Sequence, residues 1–255
     1  MSDKKKFCTN CGASVEEGVK FCPQCGNSLE VVGAETQTTP PANPSEIATG
    51  GQEKGAVEHL TTGWNVAMSN PMVFVPAVLG GVISSIISYL GWMLFPFSVL
   101  ATILGLVAVV ISFILGFASL DMARDAYVKD ALDLSSSISY VMKRLGVFLI
   151  AAIFGALLSI TIVLIPVVIL TFVIMVVDET GIMDALGKAF KVLFSDLGDI
   201  LIVLIVAIVG SFVFGYIPYL STLLNAALDV VISLAFIDIY AIYKKSITNA
   251  QQIQG

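Results

Sequence analysis

The sequence predicts an all-α polytopic membrane bundle, about six transmembrane helices in three helix-hairpin units, preceded by a small β-rich domain organised around a metal. Three observations predict it. The composition is 57% hydrophobic and only 13% charged, with a mean hydropathy of +0.93, whereas a soluble domain is about 45–50% apolar and about 25% charged. The apolar residues gather into runs on the scale of a bilayer crossing, which takes about 20 residues. All four cysteines lie apart from those runs, within residues 8–25.

The chain divides into four regions by composition. Residues 1–30 hold the cysteines and carry four lysines (Lys4, Lys5, Lys6, Lys20) against four acids (Asp3, Glu16, Glu17, Glu30). Residues 31–58 (VVGAETQTTPPANPSEIATGGQEKGAVE) are rich in Thr, Pro, Gly, Ala and Glu without apolar periodicity, the signature of a flexible linker. Residues 59–245 form the membrane domain and 246–255 a cytoplasmic tail. The region before the first apolar run is polar, so no secretory signal is expected. The net charge is −6, and only Lys4–Lys6 cluster. A nucleic-acid binder usually shows a basic face, so nucleic acid is not an expected partner.

The apolar runs occupy 71–95, 97–120, 146–165, 167–177, 200–217 and 219–243. Residues 146–177 are the ambiguous stretch. As one helix at about 1.5 Å per residue they exceed a hydrocarbon core of about 30 Å, and as two helices turning near Pro166 each is short. The distribution of cations favours two. With six spans, Lys54, Arg124, Lys129, Lys143, Arg144, Lys188, Lys191, Lys244 and Lys245 share one side with the N-terminal lysines, and the opposite turns near 91–98, 164–167 and 216–220 are uncharged. This places both termini in the cytoplasm and the chain in the cell (plasma) membrane.

Three copies of one unit emerge. Each begins with an amphipathic segment whose apolar positions follow helical spacing: Trp64, Ala67, Met68 and Pro71; Ile138, Val141, Met142 and Leu145; Ile182, Leu186, Phe190 and Leu193. Such segments are expected to lie along the interface. Each unit then turns at a proline (Pro96, Pro166, Pro218) and returns to an aspartate (Asp121, Asp178, Asp238).

The N-terminal cysteines read Phe-Cys-x-x-Cys-Gly twice, at Phe7–Gly12 and Phe21–Gly26. Cys8, Cys11, Cys22 and Cys25 therefore have the spacing of a zinc site. Four thiolates suit one closed, tetrahedral, structural ion with no open position for catalysis. A domain this small draws much of its folding free energy from the metal. The segment Phe7 to Leu29 resembles the short N-terminal zinc ribbons of many archaeal and bacterial proteins. That resemblance implies an interaction or scaffold module.

In the last run Ser221, Asn225, Asp229 and Ser233 recur every four residues and form one polar stripe on a helix. It reads either as a packing stripe, the preferred reading, or as a site for an ion, proton or polar headgroup, since an ionisable group at membrane depth is costly. Asp199 and Asp238 read as boundary charges. Ala101 with Gly105, Ser112 with Gly116, and Gly80, Gly81, Ser84, Ser85 and Ser88 read as close helix packing. Trp92, Phe95, Phe97, Tyr216 and Tyr219 suit an interfacial belt. His59 is the only histidine and reads as a solvated residue at the end of the linker. No opposed carboxylate pair and no phosphate loop is visible, so no enzyme is expected.

The segments GWNVAMSNPMVFVPAVLGG (63–81) and DETGIMDALGKAFKVLFSDLGDILIVLIV (178–206) resemble the multi-pass domain fused to some bacterial glycerophosphodiester phosphodiesterases. That domain also stands alone in archaeal and bacterial membrane proteins. The resemblance spans about 61–245 and implies a prokaryotic six-span domain without the diesterase's catalytic part. The expected function is a membrane-anchored interaction, scaffold or regulatory module. Its partners are the lipid bilayer and a cytoplasmic protein captured by the ribbon, or other copies in a homo-oligomer. The alternative is a transporter or lipid-handling protein that uses the stripe around Asp229, with the ribbon regulatory.

Overall fold

A computed structural model of the chain describes Lys6–Phe7, Ser14–Val15, and residues 54–217 and 220–254. The chain forms two compact units, Met1–Gly51 and Gln52–Gly255. In the first, strands β1 (Lys6–Phe7) and β2 (Ser14–Val15) pair antiparallel, with Lys6 opposite Val15 and Phe7 opposite Ser14. Cys8 and Cys11 fall between these strands in sequence. All four predicted ligands, Cys8, Cys11, Cys22 and Cys25, lie outside the described residues.

Among its described residues the second unit consists of helices and the turns that join them, and one pattern occurs three times. A short helix leads into a pair: α1 (Ala56–Ser69) before α2 (Phe74–Leu94) and α3 (Val99–Val128); α4 (Leu134–Lys143) before α5 (Leu145–Leu158) and α6 (Ile165–Val177); α7 (Ile182–Ser195) before α8 (Leu197–Gly215) and α9 (Ser221–Gln254). Local chemistry sets the boundaries. Ser98 caps α3 by accepting from the Ala101 amide at 3.2 Å, and the Asp133 carboxylate caps α4 through the Ser135 and Ser136 amides. Pro166 sits in the first turn of α6, where its missing N–H leaves no helical bond unmade.

Residues 146–177 are two helices rather than one, because the chain leaves α5 at Ser159 and passes through a 3₁₀ turn, Ile162–Leu164, into α6. Four helical stretches are long and apolar enough to cross a membrane: Pro71–Leu94, Val99–Val128, Leu197–Gly215 and Ser221–Gln252. A fifth exists if α4 and α5, bent by 75° from each other, count as one span. Among the described residues this gives four or five candidate spans rather than six, since α6 is too short by this measure.

The core lies toward the end of the bundle that carries the charges. The returning halves of α3 and α9 supply Phe117, Met122, Leu234, Phe236 and Ile237, and α6 supplies Leu170 and Ile174. Phe117 stacks on Phe148 with centroids 4.3 Å apart and meets Phe172 edge-on at 5.3 Å, tying α3, α5 and α6 together. At the uncharged turns Trp92, Phe97 and Tyr216 are exposed, as an aromatic belt at a lipid interface would be.

On α1 the buried face is Ala56, His59, Gly63 and Ala67, while Trp64 and Met68 point outward. Gly63 explains the choice of face. A Cβ there would sit 2.6 Å from the Val231 carbonyl oxygen of α9, so only glycine allows the two backbones this close. Gly80 and Gly81 pack as the sequence predicts, facing Leu115 and Thr222. Gly105 and Gly116 do not, because a Cβ at either meets nothing within 4 Å.

Candidate functional site

The space beside Gly116 is a cleft. A cavity of about 330 Å³ opens between α2, α3 and α9, walled by Gly80 and Gly81, by Ser112 and Ser119, and by Thr222, Asn225, Asp229 and Ser233. It exists because small residues from three helices meet at one depth and no long side chain fills the gap. The structure thus gathers Asn225, Asp229 and Ser233 on one wall. Ser221 stays off it, its carbonyl accepting from Asn225 Nδ2 at 2.9 Å. Ser84 bonds Ser112 at 2.6 Å and the Ala108 carbonyl at 2.9 Å, holding α2 and α3 together above the cleft.

Two features mark this arrangement. Asn225 Oδ1 is buried and has no hydrogen-bond partner among the described residues, a state that costs free energy unless a ligand or water meets it. Asp229 and Ser112 remain exposed to the cleft. Among its lining residues the cleft holds one carboxylate and no basic group, so a cation or an ammonium group is its natural complement.

At the charged end, the aspartates that close the three units each meet cations, with Asp121 and Asp238 buried and Asp178 half-buried. Asp121 lies 2.9 Å from Arg124 Nη2, a contact of charge rather than an aligned hydrogen bond. Arg124 also reaches Asp125 and donates to the Val176 carbonyl at 3.1 Å. Arg144 donates to the Thr180 carbonyl at 2.7 Å and to Tyr140 Oη at 2.8 Å. Asp178, just after α6, accepts from Lys188 at 2.8 Å, Lys244 at 2.9 Å and Tyr240. Burial pushes the Asp178 carboxyl up, but these donors outweigh it and hold it down to about 2. The same contact, against a smaller cost of burial, raises Lys188.

Asp238 is the most enclosed of the three. His59 Nδ1 lies 2.7 Å from its Oδ2, Tyr127 donates to its Oδ1 at 2.7 Å, and Lys54 sits 3.2 Å from both oxygens. His59 and Asp238 are each 1% exposed. This corrects two expectations: His59 is not solvated, and Asp238 is a buried hub rather than a boundary charge. The available signal was the spacing of Ala56, His59, Gly63 and Ala67, a helical face of small residues with the histidine in line. Asp199 is likewise engaged, accepting from the Ala56 amide at 2.8 Å. Asp196 faces it, and burial together with the neighbouring Asp199 carboxylate raises the Asp196 carboxyl, while His59 opposes the shift.

A family profile for a zinc-ribbon domain matches residues 7–29. The donor set in that segment is four cysteine thiolates, which fits a tetrahedral zinc ion, so the ribbon implies zinc binding. No curated protein and no solved structure matches the chain. The chain is accordingly a membrane protein with several long apolar helices and an N-terminal zinc ribbon.

Proposed function

We propose that the membrane domain takes a cationic group, an ammonium headgroup or a small cation, into the cleft lined by Asp229, without catalysing a reaction, and that the ribbon is its cytoplasmic regulatory or docking module. The observation that carries this reading is the cleft itself: one carboxylate and several hydroxyls line it between apolar helices, with no cation among the lining residues. An intramembrane ionisable group facing a cavity is a functional position by default.

In this reading the three hairpins make six crossings of the plasma membrane of a prokaryotic cell, with α5 and α6 short crossings. Both termini are cytoplasmic and the ribbon holds one zinc ion. The grouping of Lys54, Arg124, Arg144, Lys188 and Lys244 at one end of the bundle supports that orientation.

The test compares wild type with Asp229→Asn in vesicles that contain a photoactivatable aminophospholipid, alongside a cation-flux assay. Crosslinks within 222–233 that vanish in the variant support the headgroup. Flux that vanishes supports the ion. Equal behaviour of the two proteins in both assays defeats the reading and leaves the stripe a packing feature.

The ribbon supports a second reading, a membrane-anchored interaction module in which residues 7–29 capture a cytoplasmic protein or another copy. Crosslinked affinity purification with Cys8, Cys11, Cys22 and Cys25 intact or changed to Ser tests it. Partners recovered only with the intact ribbon support docking, and identical recoveries exclude it.

A further inference from the structure

We infer that His59, Asp196 and Asp199 form a second metal site, separate from the cysteine ribbon, that takes a divalent first-row transition ion through one imidazole nitrogen and two carboxylates. The ligand atoms come from α1, the α7–α8 junction and the first turn of α8, and all lie within 4.8 Å of one another. They border a cavity of about 210 Å³ that Lys54, Ser195 and Tyr243 also line, enough room for an ion with bound water. A bound ion would draw the donors to about 2.0–2.2 Å from itself.

The histidine, rather than the acids, points to a metal. His59 is buried, and its Nδ1 is committed to Asp238 at 2.7 Å. That leaves Nε2, which has no hydrogen-bond partner among the described residues. A carboxylate that holds one ring nitrogen fixes the tautomer and turns the lone pair of the other outward, the usual support of a metal-bound histidine. Asp238 is itself fixed by Tyr127 and Lys54, so the ring is held before any ion arrives.

Charge agrees. By formal charge the three aspartates around His59, set against Lys54, leave an excess of negative charge, the complement of a divalent cation. Among the described residues no lysine or arginine pairs with Asp196 or Asp199. The imidazole selects the class of ion, since magnesium and calcium prefer all-oxygen sites whereas first-row transition ions accept nitrogen and carboxylate together.

The test uses the full-length chain in detergent with its ribbon loaded with zinc. Mn²⁺ is titrated and free aqueous Mn²⁺ is followed by EPR, because manganese competes poorly for thiolates. The expected result is saturable binding, one Mn²⁺ per chain. Asp196→Asn weakens it by about tenfold or more, as does Asp199→Asn, in which the amide oxygen can still accept from the Ala56 amide. Asn is a favoured residue at the helix N-terminus that Asp196 occupies, so the Asp196→Asn protein keeps its fold, checked by its elution volume and helical signal. Cys8→Ser and Asp184→Asn leave Mn²⁺ binding unchanged. Mn²⁺ that stays free with the wild type overturns the inference, leaving His59 hydrogen-bonded to Asp238 without a metal. Equal binding by wild type and Asp196→Asn overturns it as well.

Discussion

His59 Nδ1 and Asp238 Oδ2 lie 2.7 Å apart although 179 residues separate them in the chain. This contact pins the first lead-in helix to the last returning helix, so the bundle is closed across its sequence ends. Removing the charge from Asp238 leaves His59, Tyr127 and Lys54 arranged around a weaker acceptor. Breaking a buried pair on one side costs about 3–5 kcal/mol, and here Lys54 keeps access to solvent. Asp238→Asn is therefore expected to destabilise the detergent-solubilised protein by about 3 kcal/mol, read from the temperature at which its helical signal is lost.

Asp178 gives stability a pH dependence. Its value in the folded chain, about 2, lies below the ordinary 3.8. The stabilisation is therefore fully present above about pH 4 and is lost as pH falls toward 2. Two pH units correspond to about 2.7 kcal/mol, and exposure of Lys244 reduces this to about 1–2 kcal/mol. Melting of the wild type is expected to fall through that window. Asp178→Asn is expected to melt lower at pH 6 and to flatten the dependence between pH 4 and 2.

Gly63 faces the Val231 carbonyl oxygen with no room for a methyl group. Gly63→Ala forces α1 off α9 and costs about 1–3 kcal/mol, the range for overpacking. The helix should then open locally, visible as faster hydrogen exchange across 56–69. Gly105→Ala, where a Cβ meets nothing, serves as the silent control.

Much of this was legible in the sequence. The three lead-in helices, the hairpins and the polar stripe follow from periodicity and residue type, as does the zinc motif matched at 7–29. The side-chain partners were not legible. Lys54, just before α1, His59 on α1 and Tyr127 on α3 reach Asp238, and no local pattern reports a contact between α1, α3 and α9. Trp64 and Met68 face outward, as the apolar side of an interfacial helix would, so hydrophobic spacing alone did not identify the side of α1 buried against α9. The same ambiguity hid the cleft: Gly116 looked like a packing glycine until the neighbouring helices left the space beside it open.

The ribbon and the bundle are separate compact units, so metal removal should divide their fates. Cys22→Ser is expected to abolish the ribbon's zinc, measured by metal analysis. The helical signal and melting of the membrane domain should stay unchanged. A parallel loss of bundle stability would show that the two units fold together.

The most direct test of the central claim is native mass spectrometry of wild type and Asp229→Asn released from the same aminophospholipid-containing membranes and from membranes enriched in small cations. The account predicts that the wild type retains an aminophospholipid or a cation that Asp229→Asn does not, with all other adducts equal. The same adducts in both proteins would contradict it and return the stripe on α9 to helix packing.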